Sequence, residues 1–393
     1  MAKNQAYLRR KNKEDVVRIL RQNSLSYSEI AKILQLSNPA IAKIADDLIE
    51  DNIIYRESES KGRGGIHLSL NTDLGYVFVV DFSRWQVEIC AFDFAGNLLM
   101  KDDMACVNPT MEDIECLFAK LHEWQKGEAL SGKELLYIGI ASSGKIDKES
   151  GVFILNPRFK KLGNISMKKI FEEEFHCGVV VKNDINLALM AEKMYGKQLS
   201  NVDNALMLHI DIGTGAALMF NGKIYEGSNG FAGEIGYYKL NMMLTDSDDY
   251  HNMNYSNLFD SVSLFSVLSV VKREIFHGRS SVIKDWLENE NSSWENVTIQ
   301  MIQQAYLLQD ELTVRVVNSS AKIIGAFARC MIEFLDLDKV VLSGSVIEFG
   351  REYLKNINEG NCEDKIVFSD LKENGSVLGA FNAGITEILK ERL

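Results

Sequence analysis

The chain has 393 residues, of which 46% are hydrophobic and 25% are charged, so it has room for two or three folded domains. This composition is typical of folded proteins and excludes a disordered chain. The sequence contains no run of about 18 uncharged apolar residues, which excludes a membrane-spanning helix, and its charged N-terminus lacks the apolar segment of a secretory signal.

The six cysteines are scattered, and no two of them form a Cys-x-x-Cys motif. A disulfide framework and a thiolate zinc site are therefore both poorly supported. We expect a cytoplasmic protein with reduced thiols.

The charge is distributed unevenly along the chain. Residues 1–72 contain 12 Lys and Arg against 9 Asp and Glu, a net charge of +3, whereas the whole chain carries −12. A basic head on an acidic body suggests that only the head binds a polyanion, although +3 over this length is also an ordinary fluctuation.

Three helices are predicted in the head. The first covers residues 13–22, where apolar side chains form a stripe. The second begins at Ser26, which forms a capping box with the glutamate three residues later: the hydroxyl accepts from one amide and the carboxylate reaches back to another. The third covers Asn38–Glu50, because Ser37 is a good N-cap and Pro39 lies in the first turn, where no intrahelical N–H bond is lost.

A β-hairpin with a basic tip is predicted after the third helix. Residues 53–55 and 66–70 form its strands, and the turn between them carries basic residues and glycines. Three helices and a hairpin in this order are typical of a winged helix-turn-helix, whose third helix enters the major groove. The residues predicted to contact DNA are Ser37, Asn38, Pro39, Ala42, Lys43, Lys61 and Arg63.

A protein-interaction module is the alternative interpretation of the head. Asp46 and Glu50 lie on the outer face of the third helix, where they would repel phosphates. Both acids lie in the second half of that helix, so a helix that docks by its N-terminal half need not bring them close to DNA. The order of capping box, tight turn, helix and basic wing favours DNA binding.

The body contains one strand pattern twice. An apolar strand ending near Asp81 and another ending before Asp211 are each followed by two more strands, and helices and strands then alternate. This pattern predicts two related α/β lobes facing each other across a cleft. We expect a DNA-binding domain at 1–72 and lobes at 73–197 and 198–393, with the C-terminal helix packing back on the first lobe.

A glycine-containing turn follows the first strand of the second lobe. Such turns approach phosphates, because glycine lets the backbone come close and the amides point inward. The corresponding turn of the first lobe, residues 81–85, has no glycine and carries the bulky Arg84 and Trp85. We therefore interpret the second turn as vestigial, with a tight strand connection as the alternative. Its residues are Asp211, Gly213, Thr214 and Gly215.

Specific motifs occur along nearly the whole chain. Residues 182–186 read Lys-Asn-Asp-Ile-Asn, and residues 230–236 read Gly-Phe-Ala-Gly-Glu-Ile-Gly. Together with four further segments these motifs resemble the ROK family, named for repressors, open reading frames and sugar kinases. The likeness is greatest to its repressor branch, which includes the xylose and N-acetylglucosamine repressors. The further segments are 61–71, 142–147, 341–346 and 378–381.

The resemblance implies an actin-like, hexokinase-like ATPase-type fold with a sugar site in the cleft. In the family's kinases the aspartate matching Asp184 is the general base. The glutamate matching Glu234 holds sugar hydroxyls, because a carboxylate accepts hydrogen bonds from hydroxyls in a fixed geometry. The alternative is that Asn183 and Asp184 only cap the helix that follows. The sugar-binding residues implied, as hydrogen-bonding groups rather than catalysts, are Asn183, Asp184, Glu234, Tyr237 and Arg158.

Three departures from the family pattern concern ligands. Tyr237 stands where the family has a histidine, and residues 238–257 lack the cysteines of the family's zinc site, so we expect no metal. Arg158 stands where the family has an asparagine. If Arg158 faces the cleft, it favours a phosphorylated or carboxylated sugar. If Arg158 is solvated, the carboxylates favour a neutral sugar.

These features predict a sugar-responsive transcriptional regulator, more specifically a repressor, without catalytic residues. It binds a palindromic operator as a homodimer or a dimer of dimers, with a sugar effector and no cofactor, metal or membrane. A ligand that prefers one state of the lobes respaces the two DNA-binding heads. The alternatives are a ROK-type sugar kinase with a fused DNA-binding head, and a scaffold with neither ligand nor catalysis.

Overall fold

The computed structural model describes residues 2–21, 23–57, 66–147, 150–162, 164–237, 257–359 and 365–392. The chain divides into two units: the first comprises Met1–Leu187 and Ser376–Leu393, and the second comprises Ala188–Gly375. The expected lobe boundary at residue 197 differs from this division, which falls inside one continuous helix, Asp184–Tyr195.

The N-terminal head belongs to the first unit. Its elements are α1 (Ala2–Leu20), β1 (Leu25–Ser26), α2 (Tyr27–Leu34), α3 (Asn38–Glu50), β2 (Ile54–Arg56) and β3 (His67–Leu70). The three short strands form an antiparallel sheet in the order β1-β3-β2. Val16, Ile30, Ile41 and Leu48 are fully buried, so the apolar stripes of the three helices form the core of the head.

Both predicted helix caps are confirmed. Ser26 Oγ accepts from the Glu29 amide at 3.4 Å, and the Glu29 carboxylate accepts from the Ser26 amide at 2.8 Å. The Ser37 hydroxyl accepts from the Ala40 amide at 3.4 Å at the start of α3. These bonds satisfy amides that have no partner within a helix, so α2 and α3 begin where the sequence predicts.

The first helix is longer than predicted, because it begins at Ala2 instead of Lys13. Ion pairs with α3 hold its N-terminal half. Arg9 Nη2 lies 2.6 Å from Asp47 Oδ2, and Lys13 Nζ lies 3.3 Å from Asp51 Oδ2. A search for apolar periodicity misses these turns, since charged side chains make the contacts.

The sheet of the first unit combines parallel and antiparallel strands. Its strand order is β10-β7-β4-β5-β6. Strands β4, β7 and β10 run parallel to one another, whereas β5 runs antiparallel to both of its neighbours, β4 and β6. One face packs against two helices around Phe78, Leu121 and Phe171. The strands are β4 (Tyr76–Asp81), β5 (Gln86–Asp93), β6 (Leu98–Ala105), β7 (Leu135–Ser142), the hairpin β8 (Lys145–Ile146) and β9 (Phe153–Leu155), and β10 (Gly178–Asn183), and the helices are α4 (Met111–Lys126), α5 (Met167–Phe175) and α6 (Asp184–Tyr195).

The sheet of the second unit repeats this topology. Its strands are β11 (Ala205–Ile210), β12 (Thr214–Phe220), β13 (Lys223–Tyr225), β14 (Lys339–Ser343) and β15 (Ile366–Phe368), in the order β13-β12-β11-β14-β15. Three antiparallel strands again adjoin two parallel ones, as the duplicated pattern predicts. The helices are α7 (Leu258–Val262), α8 (Leu264–Phe276), α9 (Val282–Asn289), α10 (Ile299–Leu307), α11 (Glu311–Leu335) and α12 (Gly350–Asn358).

The last helix, α13 (Gly375–Arg392), packs on the first sheet. A Cβ atom at Gly139 of β7 would lie 2.3 Å from the Ala380 carbonyl oxygen, and one at Gly379 would lie 2.2 Å from the Leu187 carbonyl oxygen of α6. Because both positions lack a side chain, α13 contacts β7 and α6 backbone to backbone. The C-terminal helix thus adjoins the helix that begins at the predicted sugar residues.

Arg21 joins the head to α13. Arg21 follows α1, and its Nη1 donates to Asn382 Oδ1 at 2.6 Å. Its guanidinium also lies 5.5 Å from the centroid of the Phe381 ring, a distance typical of a cation–π contact. Phe381 and Asn382 are both buried.

Candidate DNA-contact and effector-binding residues

The N-terminal half of α3 presents an exposed surface, while Ile41 and Ala45 on its opposite face are buried. The helix N-terminus also carries a partial positive charge, which favours phosphate. The wing residues Lys61 and Arg63 lie outside the described residues. The other residues predicted to contact DNA are exposed, or half-buried in the case of Ala42: Ser37, Asn38, Pro39, Ala42 and Lys43.

Arg56, at the end of β2, is a candidate DNA contact that the sequence interpretation missed. Its Nη2 lies 2.6 Å from Asp46 Oδ1, and its Nε donates to the Tyr27 hydroxyl at 3.0 Å. The bond to Tyr27 and the charge of Asp46 raise the pKa of the guanidinium above its ordinary value. The sequence gives only a weak signal, a lone arginine ending a strand, because its partners lie far away along the chain.

Three parallel strands of the first unit end side by side. Asn183 of β10 pairs with Ser142 of β7, and Asp81 of β4 pairs with Ala141. In open α/β sheets, ligands bind at the carboxyl ends of parallel strands. The predicted sugar residues of this unit, Asn183 and Asp184, therefore lie at an edge suited to a ligand.

The side chain of Asn183 caps α6. Its Oδ1 accepts from the amides of Ile185 and Asn186, both at 3.0 Å, and its Nδ2 donates to the Gly144 carbonyl at 3.2 Å. The capping interpretation, the alternative to sugar binding, therefore describes the contacts that Asn183 makes.

Asp184 and Asn186 lie beside Asn183 in the first turn of α6. Asp184 is only 8% exposed. Asn186 Oδ1 is buried and finds no hydrogen-bond partner among the described residues. A buried acceptor without a donor destabilises the fold unless a water or ligand donates to it. The sequence interpretation quoted Asn186 only within its motif and did not count it as a site residue.

Asn156 is a second polar residue that the sequence interpretation missed. Its Nδ2 donates to the Ser143 carbonyl at 2.8 Å and lies 3.3 Å from Ser142 Oγ, and its Oδ1 accepts from the Arg158 amide at 3.0 Å. It thus anchors the turn that follows β7, whose Gly144 carbonyl also binds Asn183. Its position before Pro157 was the available signal, because Asn-Pro marks a turn.

Arg158 binds the backbone of the first unit. Its guanidinium donates to three backbone carbonyls: Phe82 at 2.6 Å, Cys106 at 2.7 Å and Val107 at 3.0 Å. It also lies 5.8 Å from the centroid of the Trp85 ring. In the structure, Arg158 holds the turn after β4 through these carbonyls. These contacts are a third arrangement, besides the solvated arginine and the arginine that binds an acidic sugar.

The two aspartate turns differ in what surrounds them. In the first unit, Asp81 is buried and accepts from the Ser83 amide at 2.7 Å and from the Ser376 hydroxyl of α13. The Arg158 contacts described above hold the rest of this turn. Its carboxylate and backbone are thus bound by the chain's own groups.

The turn of the second unit is more open. Asp211 accepts from the Ser345 hydroxyl at 2.6 Å, in the same arrangement as Asp81 and Ser376. Among the residues that the structure describes, no atom outside the immediate chain neighbours lies within 4 Å of the position that a Cβ at Gly213 would take, and Thr214 Oγ1 is buried there without a hydrogen-bond partner. The turn predicted to be a vestigial phosphate turn, which includes Gly215, is thus less crowded than the turn at Asp81.

Glu234 lies in a loop of the second unit that is held against β12. The Ala216 amide donates to the Gly233 carbonyl at 2.9 Å, and a Cβ at Gly233 would lie 1.9 Å from the Ala216 carbonyl oxygen, so only glycine fits there. The Glu234 side chain is exposed, yet partial desolvation by surrounding atoms raises the pKa of its carboxyl. Tyr237 ends the short 3-10 turn that follows.

No metal site is found in the parts of the chain that the structure describes: no three His, Cys, Asp or Glu side chains there are grouped to hold an ion. Residues 238–256, where the family's zinc ligands were sought, lie outside these parts. Within the same described ranges, no helix has the length and apolar character needed to cross a membrane.

Comparison with known proteins identifies the body. Residues 77–252 match the ROK family. The chain contains a ROK family domain. The match covers the sheet of the first unit and continues into the second unit through the loop of Glu234. The family resemblance noted in the sequence is therefore confirmed.

Similar proteins include both regulators and kinases. The chain is 25% identical to the xylose repressor of Caldicellulosiruptor bescii over 98% of both chains. A solved ROK family transcriptional regulator, a homolog of the E. coli MLC protein, has a TM-score of 0.78 at 22% identity and covers 98% of both chains. A ROK family glucokinase from Streptomyces griseus, solved with glucose and AMPPNP, has a TM-score of 0.63 at 17% identity, covering 79% of this chain and 99% of its own.

Proposed function

We propose that this chain is a sugar-responsive transcriptional repressor whose ROK domain senses a sugar without converting it. The observation that carries the proposal is the extent of the likeness to the xylose repressor, which includes the head as well as the ROK domain. The likeness to the glucokinase covers 79% of this chain, as expected if the kinase has no counterpart of the head.

The head acts in this proposal as a winged helix-turn-helix. Its support is the exposed N-terminal half of α3, the tight turn between α2 and α3, and the small sheet whose β2 and β3 lead into and out of the basic tip. A homodimer presents two such heads to the two halves of a palindromic operator, since twofold protein symmetry matches twofold DNA symmetry.

The effector in this proposal is a sugar held by carboxylates and an amide. Asp184, Asn186 and Glu234 supply acceptors for hydroxyl protons, with Tyr237 as a further contact. Because Arg158 is engaged with backbone carbonyls, its guanidinium no longer argues for an acidic sugar. A neutral sugar therefore suits these residues best.

The direct test is a gel-shift assay on the DNA upstream of the chain's own gene. We expect a discrete complex that a neutral sugar dissociates, with xylose tested first because of the likeness to the xylose repressor. Absence of any complex at low salt, where electrostatic binding is strongest, would refute DNA binding. A complex that no sugar affects would refute the sensor role.

A sugar kinase is the second candidate, favoured by Asp184 and the open turn at Gly213. We expect no ATP-dependent phosphorylation of hexoses or pentoses, because the turn at Asp81 has no glycine and is held by Arg158 and Ser376. A coupled assay for ADP release checks this expectation. Turnover that Asp184→Asn abolishes would show that the protein is an enzyme.

A further inference from the structure

An acidic residue occupies the surface that the proposed function turns toward DNA. Asp46 lies three residues after Lys43, so the two side chains share one face of α3. The Asp46 side chain is 63% exposed. A lone carboxylate there would repel the phosphate backbone and weaken binding.

Two neighbouring acids are arranged differently. Asp47 of α3 and Asp51, directly after α3, face α1, where Arg9 and Lys13 pair with them. Asp46 instead receives its cation, Arg56, from the wing strand β2, at 2.6 Å. An exposed ion pair adds little stability by itself, so stability alone gives a poor account of this arrangement.

The geometry fixes the Arg56 guanidinium at two points. Nε donates to the Tyr27 hydroxyl, and one N–H of Nη2 donates to Asp46. A guanidinium has five N–H donors in a planar fork, so both N–H groups of Nη1 and the second of Nη2 make no bond to the described residues. These remaining donors form an edge that fits two oxygens of one phosphate.

We propose that Arg56 binds a phosphate of the DNA backbone, and that Asp46 and Tyr27 are positioning residues that orient its guanidinium for this contact. The inference rests on the proposed DNA-binding function. The proposal explains why an acid lies beside Lys43, because the Asp46 carboxylate orients the Arg56 guanidinium toward the phosphate.

The test measures binding to two labelled duplexes, the upstream DNA and an unrelated sequence, by fluorescence anisotropy across a range of salt concentrations. Arg56→Gln should weaken binding to both duplexes about tenfold and reduce the slope of log K against log salt by about 1, as loss of one phosphate contact requires. Tyr27→Phe should weaken binding to both by about threefold, because one of the two orienting bonds is lost.

Asp46→Asn is the discriminating variant. Simple charge counting predicts tighter binding when an acid is removed from a DNA-facing surface. The proposal predicts binding about threefold weaker, because a neutral amide holds the guanidinium less firmly than a carboxylate does. The matched control is Glu50→Gln, which removes an exposed acid four residues later on α3 and should leave binding unchanged or slightly tighter. In Arg56→Gln, adding Asp46→Asn should cause no further loss.

Three results would overturn the proposal: an unchanged salt slope in Arg56→Gln, tighter binding by Asp46→Asn, or equal effects of Asp46→Asn and Glu50→Gln. Unfolding midpoints identify variants that fail to fold. For such a case Arg56→Lys keeps the charge without the fork and should keep the slope while weakening binding. If the wild type binds neither duplex at low salt, DNA binding itself is refuted; if it binds both and Arg56→Gln binds equally, only this inference fails.

Discussion

At the scale of single residues, Glu192 is a carboxylate that the chain buries completely. Its Oε1 accepts from the Ser369 hydroxyl and from the Leu371 amide at 2.9 Å, whereas Oε2 finds no partner among the described residues. Burial raises the pKa of this carboxyl above its ordinary value, and the two hydrogen bonds only partly oppose that effect. Folding therefore disfavours the charged form of Glu192 relative to the unfolded chain.

This arrangement predicts a dependence of stability on pH. The folded state binds the Glu192 proton more tightly than the unfolded chain, so its contribution to stability falls as pH rises through the folded-state pKa. Glu192→Gln keeps an acceptor at Oε1 and removes the ionisation. We expect the variant to be more stable than wild type at pH 7, with the difference shrinking as pH falls toward 4.5, the ordinary value for glutamate.

Urea unfolding at a series of pH values measures this difference, with Glu352→Gln, which removes an exposed carboxylate, as the control. A constant difference between wild type and Glu192→Gln across the pH range would contradict the expectation.

The candidate site could be predicted only in part from the sequence. Motifs locate both carboxylates, because Asp184 lies between two asparagines of one motif and Glu234 lies among the glycines of another. They do not reveal that the Asn183 side chain caps the helix that follows it, or that Arg158 binds carbonyls more than 50 residues away along the chain. Such contacts depend on which loops the fold brings together, and a single sequence does not encode that in local spacing.

At the scale of elements, the contact between Arg21 and α13 links the head to the first sheet. Arg21→Ala removes a charge-assisted hydrogen bond to buried Asn382 and a cation–π contact with Phe381. Together these losses should cost about 2 kcal/mol of unfolding free energy. Faster amide exchange in the last turn of α1 and in α13 should accompany the change.

The control for Arg21 is Arg18→Ala on the last turn of α1. Arg18 is exposed and pairs with Asp15 at 2.7 Å, so its removal should change stability by less than about 0.5 kcal/mol. Thermal unfolding and hydrogen exchange measure both variants. Equal behaviour of Arg21→Ala and Arg18→Ala would show that the contact with α13 does not hold the head.

Element boundaries show where sequence patterns succeed. Caps at Ser26 and Ser37 place the starts of α2 and α3, because a capping side chain bonds to amides only two or three residues away. The start of α1 escapes prediction, because Arg9 and Lys13 stabilise it through acids on another helix.

At the scale of the whole molecule, the two five-stranded sheets share one detail of their aspartate turns and differ in another. Asp81 ends β4 and Asp211 directly follows β11, and each accepts from a serine hydroxyl, Ser376 for Asp81 and Ser345 for Asp211. The turns beyond these aspartates have diverged: one keeps the open Gly213, and the other is held by Arg158. The same sheet topology therefore accommodates two different turns after its first strand.

The most direct test of the account starts from labelled upstream DNA bound by wild type, by Asp184→Ala or by Glu234→Ala. Each complex is titrated with the sugar that releases the wild type, and fluorescence anisotropy measures the release. Without sugar, the three proteins should bind DNA alike, because neither carboxylate belongs to the head. Loss of an acceptor that holds sugar hydroxyls costs about 1–3 kcal/mol, so each variant should need roughly 5- to 150-fold more sugar for release. Release of either variant at the wild-type sugar concentration would contradict the account.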